Sequence, residues 1–183
     1  MTRDEALAIL KEYTKSESLL KHAYAVEAAM RAYAKKFGED EELWGVVGLL
    51  HDFDYEMYPD EHPMKGSEIL KEKGVSEEIR TAILGHANYT GVPRETLMAK
   101  ALYAVDELSG FLVAVTLVRP TKSVSDVKVK SVKKKMKDKS FAAKVNRDEI
   151  REGAEELGIP FEEHVEFMIK ALSGVAEQLG LNP

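Results

Sequence analysis

The stretch LMAKALYAVDELSGFLVAVTLV, Leu97 to Val118, places Asp106 on the same helical face as Leu102 and Gly110 in an otherwise hydrophobic segment. It reads as a buried helix that takes a charge inside. Pro93 is placed to open it. Upstream, the punctuation is helical throughout. Thr2 with Glu5 forms a capping box for a helix to about Tyr13, and a second helix runs from about Ser18 to Phe37 and stops at Gly38. A third is expected from Asp40 to about Asp52, a fourth from Met64 to Lys73 ahead of Gly74, and a fifth capped by Ser76 that ends near His86.

Downstream of Arg119-Pro120, DVKVKSVKKKMKDK alternates briefly like a strand. Val129, Val132 and Met136 nevertheless share one helical face and Lys130, Lys133, Lys134 and Lys137 another, so an amphipathic helix is predicted. Two more helices follow, about Arg147 to Leu157 and Phe161 to Leu179, parted by Gly158 and Pro160. No segment requires strand pairing. The predicted class is all-α, one domain over 1–183, with a metal-site core at about 18–118 and a helical extension at about 119–183.

A length of 183 residues with 44% hydrophobic content suits one domain with a sizeable core. No run of eighteen apolar residues occurs, and the N-terminus MTRDEALAILKEY is acidic where a signal peptide would be basic, so a cytoplasmic protein with no membrane association is expected. There is no cysteine, so any metal site must be built from imidazole and carboxylate. The net charge of −6 is uneven: Arg119 to Lys139 holds nine Lys or Arg against Asp126 and Asp138. Such a run is ordinarily a solvated helix face.

Titratable side chains fall on faces that should be buried. His22 lies on the stripe of Val26, Ala29 and Tyr33; Trp44, Val47 and His51 align with Asp52 adjacent; Ala82 and His86 share a face. Burying carboxylates beside imidazoles is costly unless a cation joins them, and neutral imidazole with carboxylate suits iron, manganese, cobalt, nickel or zinc.

In this order, His22, LLHDFDY around His51-Asp52, and Asp106 in YAVDEL resemble the H…HD…D signature of the HD-domain superfamily. EHPMKGSEIL (Glu61–Leu70) resembles the HPxxGAxxL helix start of HDIG-type members, and ILGHAN (Ile83–Asn88) the helix-end histidine of binuclear members. The resemblance covers about His22 to Glu107. It implies that His22, His51, Asp52 and Asp106 bind one divalent metal, and that Asp52 bridges to a second held by His62 and His86. The connection from Asp52 to His62, HDFDYEMY and onward, is short for a binuclear member and lacks the HDIGK lysine. Asp54 is either a partner of a ligand histidine or a loop acid that caps a turn, and His164 matches no motif and reads as a packing or surface residue.

The resemblance implies a metal-dependent phosphohydrolase that acts on a small phosphorylated compound, a nucleotide or a phosphodiester, with Asp52 and His51 at the centre of catalysis. Lys65, Arg119, Lys122, Lys128 and Lys130 are the candidate phosphate contacts. The alternatives are a di-iron oxygenase of the same fold and a noncatalytic nucleotide-sensing module. Nucleic acid ranks last, since no reading motif accompanies the lysines.

Overall fold

The computed structural model describes all of residues 1–183 and contains ten α-helices and no strand. They are α1 (Arg3–Tyr13), α2 (Glu17–Phe37), α3 (Glu41–Leu50), α4 (Met64–Glu72), α5 (Glu77–Gly85), α6 (Leu97–Leu117), α7 (Val129–Lys137), α8 (Arg147–Leu157), α9 (Phe161–Ser173) and α10 (Ala176–Leu179). None is long and apolar enough to cross a membrane.

Local chemistry starts and stops most of them as the sequence predicts. The Thr2–Glu5 capping box is formed in both directions, Ser16, Asp40, Ser76 and Asn146 accept from backbone amides at N3, and Gly38 and Gly158 end α2 and α8 with φ near +70° to +77°. α7 is the amphipathic helix expected, with Val132 and Met136 buried.

Three boundaries differ. The helix α6 does not open at Pro93, because Arg94 is used elsewhere: its guanidinium donates to the Gly85 carbonyl and Asn88, pairs with Glu156 and lies over the Tyr103 ring at 3.6 Å. The chain stays non-helical until Thr96, whose hydroxyl caps Ala99. The third helix ends at Leu50, so His51 is its C-cap and Asp52 lies in the turn beyond. The last predicted helix is broken at Gly174 and Val175, which lets Leu179 and Leu181 turn back into the core.

Every helix contributes to one contiguous apolar core. Its centre is α6, where Ala101 to Val105, Leu108, Phe111 and Leu112 are fully or almost fully enclosed. α2 and α3 pack backbone to backbone, since a Cβ at Gly48 would lie 2.8 Å from Glu27 Cα. Glu27 is itself buried and is matched by two arginines, Arg31 of the same helix at 3.0 Å and Arg3 at 2.7 Å, the second of which ties α1 to α2. The segment after residue 118 folds back onto this core: α8 lies on α6, with Gly153 against Ala104, and α9 lies on α2, with Phe167 stacked on Tyr33 at 4.1 Å.

His164 belongs to this packing and has no exposed surface. Its Nε2 donates to the Ala104 carbonyl at 2.8 Å, so Nδ1 is the acceptor for the Tyr33 hydroxyl at 2.6 Å, and the ring is neutral. Burial pushes its pKa down to about 4, against the hydrogen bond to Ala104, which raises it. A histidine that titrates near 6.5 when unfolded and near 4 when folded costs nothing above pH 6.5. As pH falls from 6.5 to 4 the unfolded chain gains a proton that the folded chain refuses, and stability drops by on the order of 3 kcal/mol. His164→Leu is expected to melt lower at pH 7, because Tyr33 and Ala104 lose a partner, yet to show a flatter decline across that window. Parallel pH profiles of melting temperature for parent and variant would contradict this assignment.

Candidate metal centre

Four helices and the turn after one of them deliver the polar residues. α2 carries His22 in its second turn, α3 hands over His51 and Asp52 at its end, and α6 brings Asp106 midway along its length. The 51–63 turn region supplies His62 just before α4, and His86 caps the end of α5.

These six side chains form two groups that share Asp52. In the first, His22 Nε2 lies 3.1 Å from His51 Nε2 and 3.0 Å from Asp106 Oδ1; His51 Nε2 is 3.2 Å from both Asp52 Oδ2 and Asp106 Oδ1. In the second, His62 Nε2 and His86 Nε2 lie 3.1 and 3.2 Å from Asp52 Oδ1. One oxygen of Asp52 thus faces each group.

The hydrogen bonds behind the rings determine what the rings present. His51 Nδ1 donates to the Gly48 carbonyl at 2.7 Å, His86 Nδ1 donates to the Ile83 carbonyl, and His62 Nδ1 donates to Asp54 Oδ1 at 2.6 Å. A carbonyl or carboxylate oxygen only accepts, so each Nδ1 holds a hydrogen, and the neutral form of each ring points a bare Nε2 lone pair inward. In that form the lone pairs of His51, His62 and His86 face carboxylate oxygens, and His22 Nε2 stands 3.1 Å from His51 Nε2. A divalent cation joins such donors, as protons on the rings do in its absence. Donors about 2.0 to 2.2 Å from a common divalent ion stand about 3.0 to 3.5 Å apart, which is the spacing found.

The electrostatics agree. Burial pulls the His51 imidazole down, but the charges of Asp52 and Asp106 and hydrogen bonds to both carry it well above its usual value. His62 is likewise lowered by burial and raised more strongly by its bonds to Asp52 and Asp54, to about 9. Burial pushes Asp52 up, yet His51 and the bonds from His51, His62 and His86 hold it well below the carboxylate range; Asp106 is depressed in the same way by His51 and His22. The site attracts positive charge.

Asp54, open between two readings in the sequence, is enclosed. Its Oδ1 accepts the hydrogen bond from His62 Nδ1 and its Oδ2 accepts from the Gly66 amide at 2.8 Å, which fixes the start of α4 against His62. A Cβ at Gly66 would lie 2.8 Å from that oxygen.

The centre lies at the base of a cleft of about 590 Å³. Its walls include Tyr55, Asn88, Tyr89, Glu107 and Glu149, none of which the sequence singled out. Glu107 follows Asp106 directly; burial, then the charges of Asp106 and Glu149, push its carboxyl up to about 7. Glu149 arrives from α8, where it reads locally as nothing more than an acidic first-turn residue.

None of the five basic residues expected to contact phosphate lines this cleft. Lys65 extends toward Glu68 at 3.8 Å and over the Tyr58 ring. Arg119 donates to Ser131, and Lys122 sits in the turn that follows. Lys128 and Lys130 border two shallow surface depressions beside α7. The separation is geometric: Arg119 follows Asp106 by thirteen positions, and α6 runs on to Leu117, which places the two about 20 Å apart.

The all-helical bundle gathers four imidazoles and Asp106 around one shared aspartate, Asp52, in an arrangement that could hold a divalent metal ion. The HD domain family model matches residues 19–110, just over half of the chain, and the protein belongs to the HD-domain family, whose members are generally metal-dependent phosphohydrolases. A comparison with solved structures found no match.

Proposed function

We propose that this protein is a metal-dependent phosphohydrolase acting on a small phosphorylated compound, a nucleotide or other phosphoester, with two ions held by six residues. His22, His51, Asp52 and Asp106 hold the first; His62, His86 and the second oxygen of Asp52 hold the other. The observation that carries this reading is the division of the Asp52 carboxylate between two donor groups. A pair of divalent ions so placed supplies an activated water and a Lewis acid for the phosphoryl oxygen. The chain supplies the geometry: Gly48, Ile83 and Asp54 hold three rings with Nε2 inward, Asp52 sets the separation of the two groups, and the cleft leaves their outer side open to substrate. The HDIG-type assignment rests on EHPMKGSEIL alone.

Metal analysis of the purified protein, followed by anaerobic phosphate release from nucleotides, phosphodiesters and sugar phosphates with manganese or cobalt, tests the proposal. Release that depends on added metal supports it. Two bound irons with oxygen consumption and no phosphate release would move the protein to the oxygenase branch, and no turnover of either kind would sink both readings.

Nuclearity has its own test. α4 and α5 form a hairpin across Gly74 and Val75 that brings His62 and His86 to the same oxygen of Asp52. Replacing both by alanine is expected to halve the metal content, from two ions to one, with His22 and Asp106 still occupied. One ion in parent and double variant alike, with equal activity, would withdraw the second set of ligands.

A further inference from the structure

The cleft is not closed at its α6 end. His22 and Gly110 line both the cleft and a neighbouring trough-like groove of about 560 Å³, so the two meet at these residues. The groove runs between the start of α2 and the outer half of α6, past Val113 and Leu117, and its far wall is the returning chain at Leu179 to Leu181. That wall is fixed: Leu179 and Leu181 are buried, the Leu181 amide donates to Ala176, and its carbonyl accepts from Val124.

Gly110 sits where cleft and groove join. Gly48 and Gly153 are compelled to lack a side chain, since a Cβ on each would lie 2.8 and 2.7 Å from a neighbouring backbone atom. At Gly110 a Cβ would meet nothing within 4 Å. A glycine in the middle of a 21-residue helix is the less stable choice and here answers no packing demand. What it does is leave the passage open.

The walls also indicate what passes. The only fully charged side chains on the groove, Glu17 and Lys21, pair with each other at 3.1 Å, so it offers no uncompensated charge, while Val113, Leu117, Leu179 and Leu181 offer apolar surface. From Gly110 to Leu117 the trough extends about 10 Å. We infer that this groove is the leaving-group subsite of the enzyme and that its substrates are phosphate esters of an alcohol with an extended, uncharged apolar body. The inference rests on the phosphohydrolase reading for the position of the phosphate, and on the groove alone for the rest.

The test uses the full chain loaded with Mn²⁺ and the series methyl, butyl and octyl phosphate. Binding is measured by titration calorimetry, and phosphate release is followed from the same esters. Each buried methylene is worth up to about fourfold in affinity, and with partial burial octyl phosphate is expected to bind about a hundredfold more tightly than methyl phosphate. Gly110→Leu, which fills the passage, and Leu117→Asp, which places a charge on a half-exposed wall position, should each flatten that series to within about threefold. Melting temperature and metal content are followed in both variants, so that a flattened series is read only from folded, loaded protein; the two substitutions fail independently. Equal affinities along the series in the parent overturn the inference, as does a steep series that survives both variants. AMP binding as tightly as octyl phosphate and weakened equally by Gly110→Leu would overturn the apolar occupant in favour of a base. A steep binding series without phosphate release leaves the subsite standing and removes the phosphohydrolase reading; release with a flat series does the reverse.

Discussion

Asp52→Ala is expected to lower kcat/KM by well over about a hundredfold, beyond the loss that follows removal of a residue that merely supports a metal ligand. The reason is the dual role of one carboxylate. Its Oδ2 is 3.2 Å from His51 Nε2 and its Oδ1 3.1 Å from His62 Nε2, so a single truncation removes a donor from both groups at once. No neighbour can substitute. Asp106 approaches His86 only at 4.0 Å, and Asp54 is already committed to the His62 ring and the Gly66 amide. The variant should therefore lose metal as well as turnover, and elemental analysis alongside steady-state kinetics reads both. Asp52→Asn, which keeps the shape but turns one oxygen into a donor, should fail nearly as badly. Turnover within a factor of three of the parent, at full metal content, would place the chemistry elsewhere.

Stripping the metal is expected to lower the melting temperature by roughly 5 to 15 °C at pH 8. An ion present at a hundred to a thousand times its dissociation constant stabilises the folded state by about 3 to 4 kcal/mol, and each kcal/mol is worth roughly 2 to 4 °C in a chain of this size. Without metal the site must be held together by protons, and that defines the pH dependence. The folded pKa of His51 and of His62, the latter about 9, lies above the unfolded value, so their contribution is complete below about pH 6.5 and is lost as pH rises through about 9. The depressed carboxylates, Asp52 and Asp106, contribute above their unfolded pKa near 4 and are constant across this range. The gap between loaded and stripped protein should therefore widen from pH 6.5 to 9, because the ion displaces protons that are held less firmly as pH rises. Scanning calorimetry of both forms at three pH values decides the matter; identical melting at every pH would mean that no ion binds there.

Much of this protein can be read residue by residue. The capping box at Thr2 and Glu5, the serine cap at Ser76 and the glycine stop at Gly38 act within one helical turn, so the helices they bound are written locally. The stripes that place His22, His51 and Asp106 inward are also local, and ordered histidine and aspartate residues on buried faces leave few ways to satisfy their charge. What only the tertiary structure decided depends on segments distant in the chain meeting one another. Arg94 delays α6 to Thr96 because its partners, Gly85, Asn88 and Glu156, come from elsewhere in the sequence. Asp54 becomes the partner of His62 only when the turn after α3 meets the start of α4, and Glu149 reaches the cleft only because α8 docks on α6. The lysines of α7 fall on the other side of the same account: their charge is plain in the sequence, but α6 continues straight past Asp106 and carries the chain about 20 Å away before they occur. Helical periodicity and capping are short-range properties of the chain, whereas the far wall of the trough beside Gly110 exists only once Leu179 to Leu181 have folded back against α2.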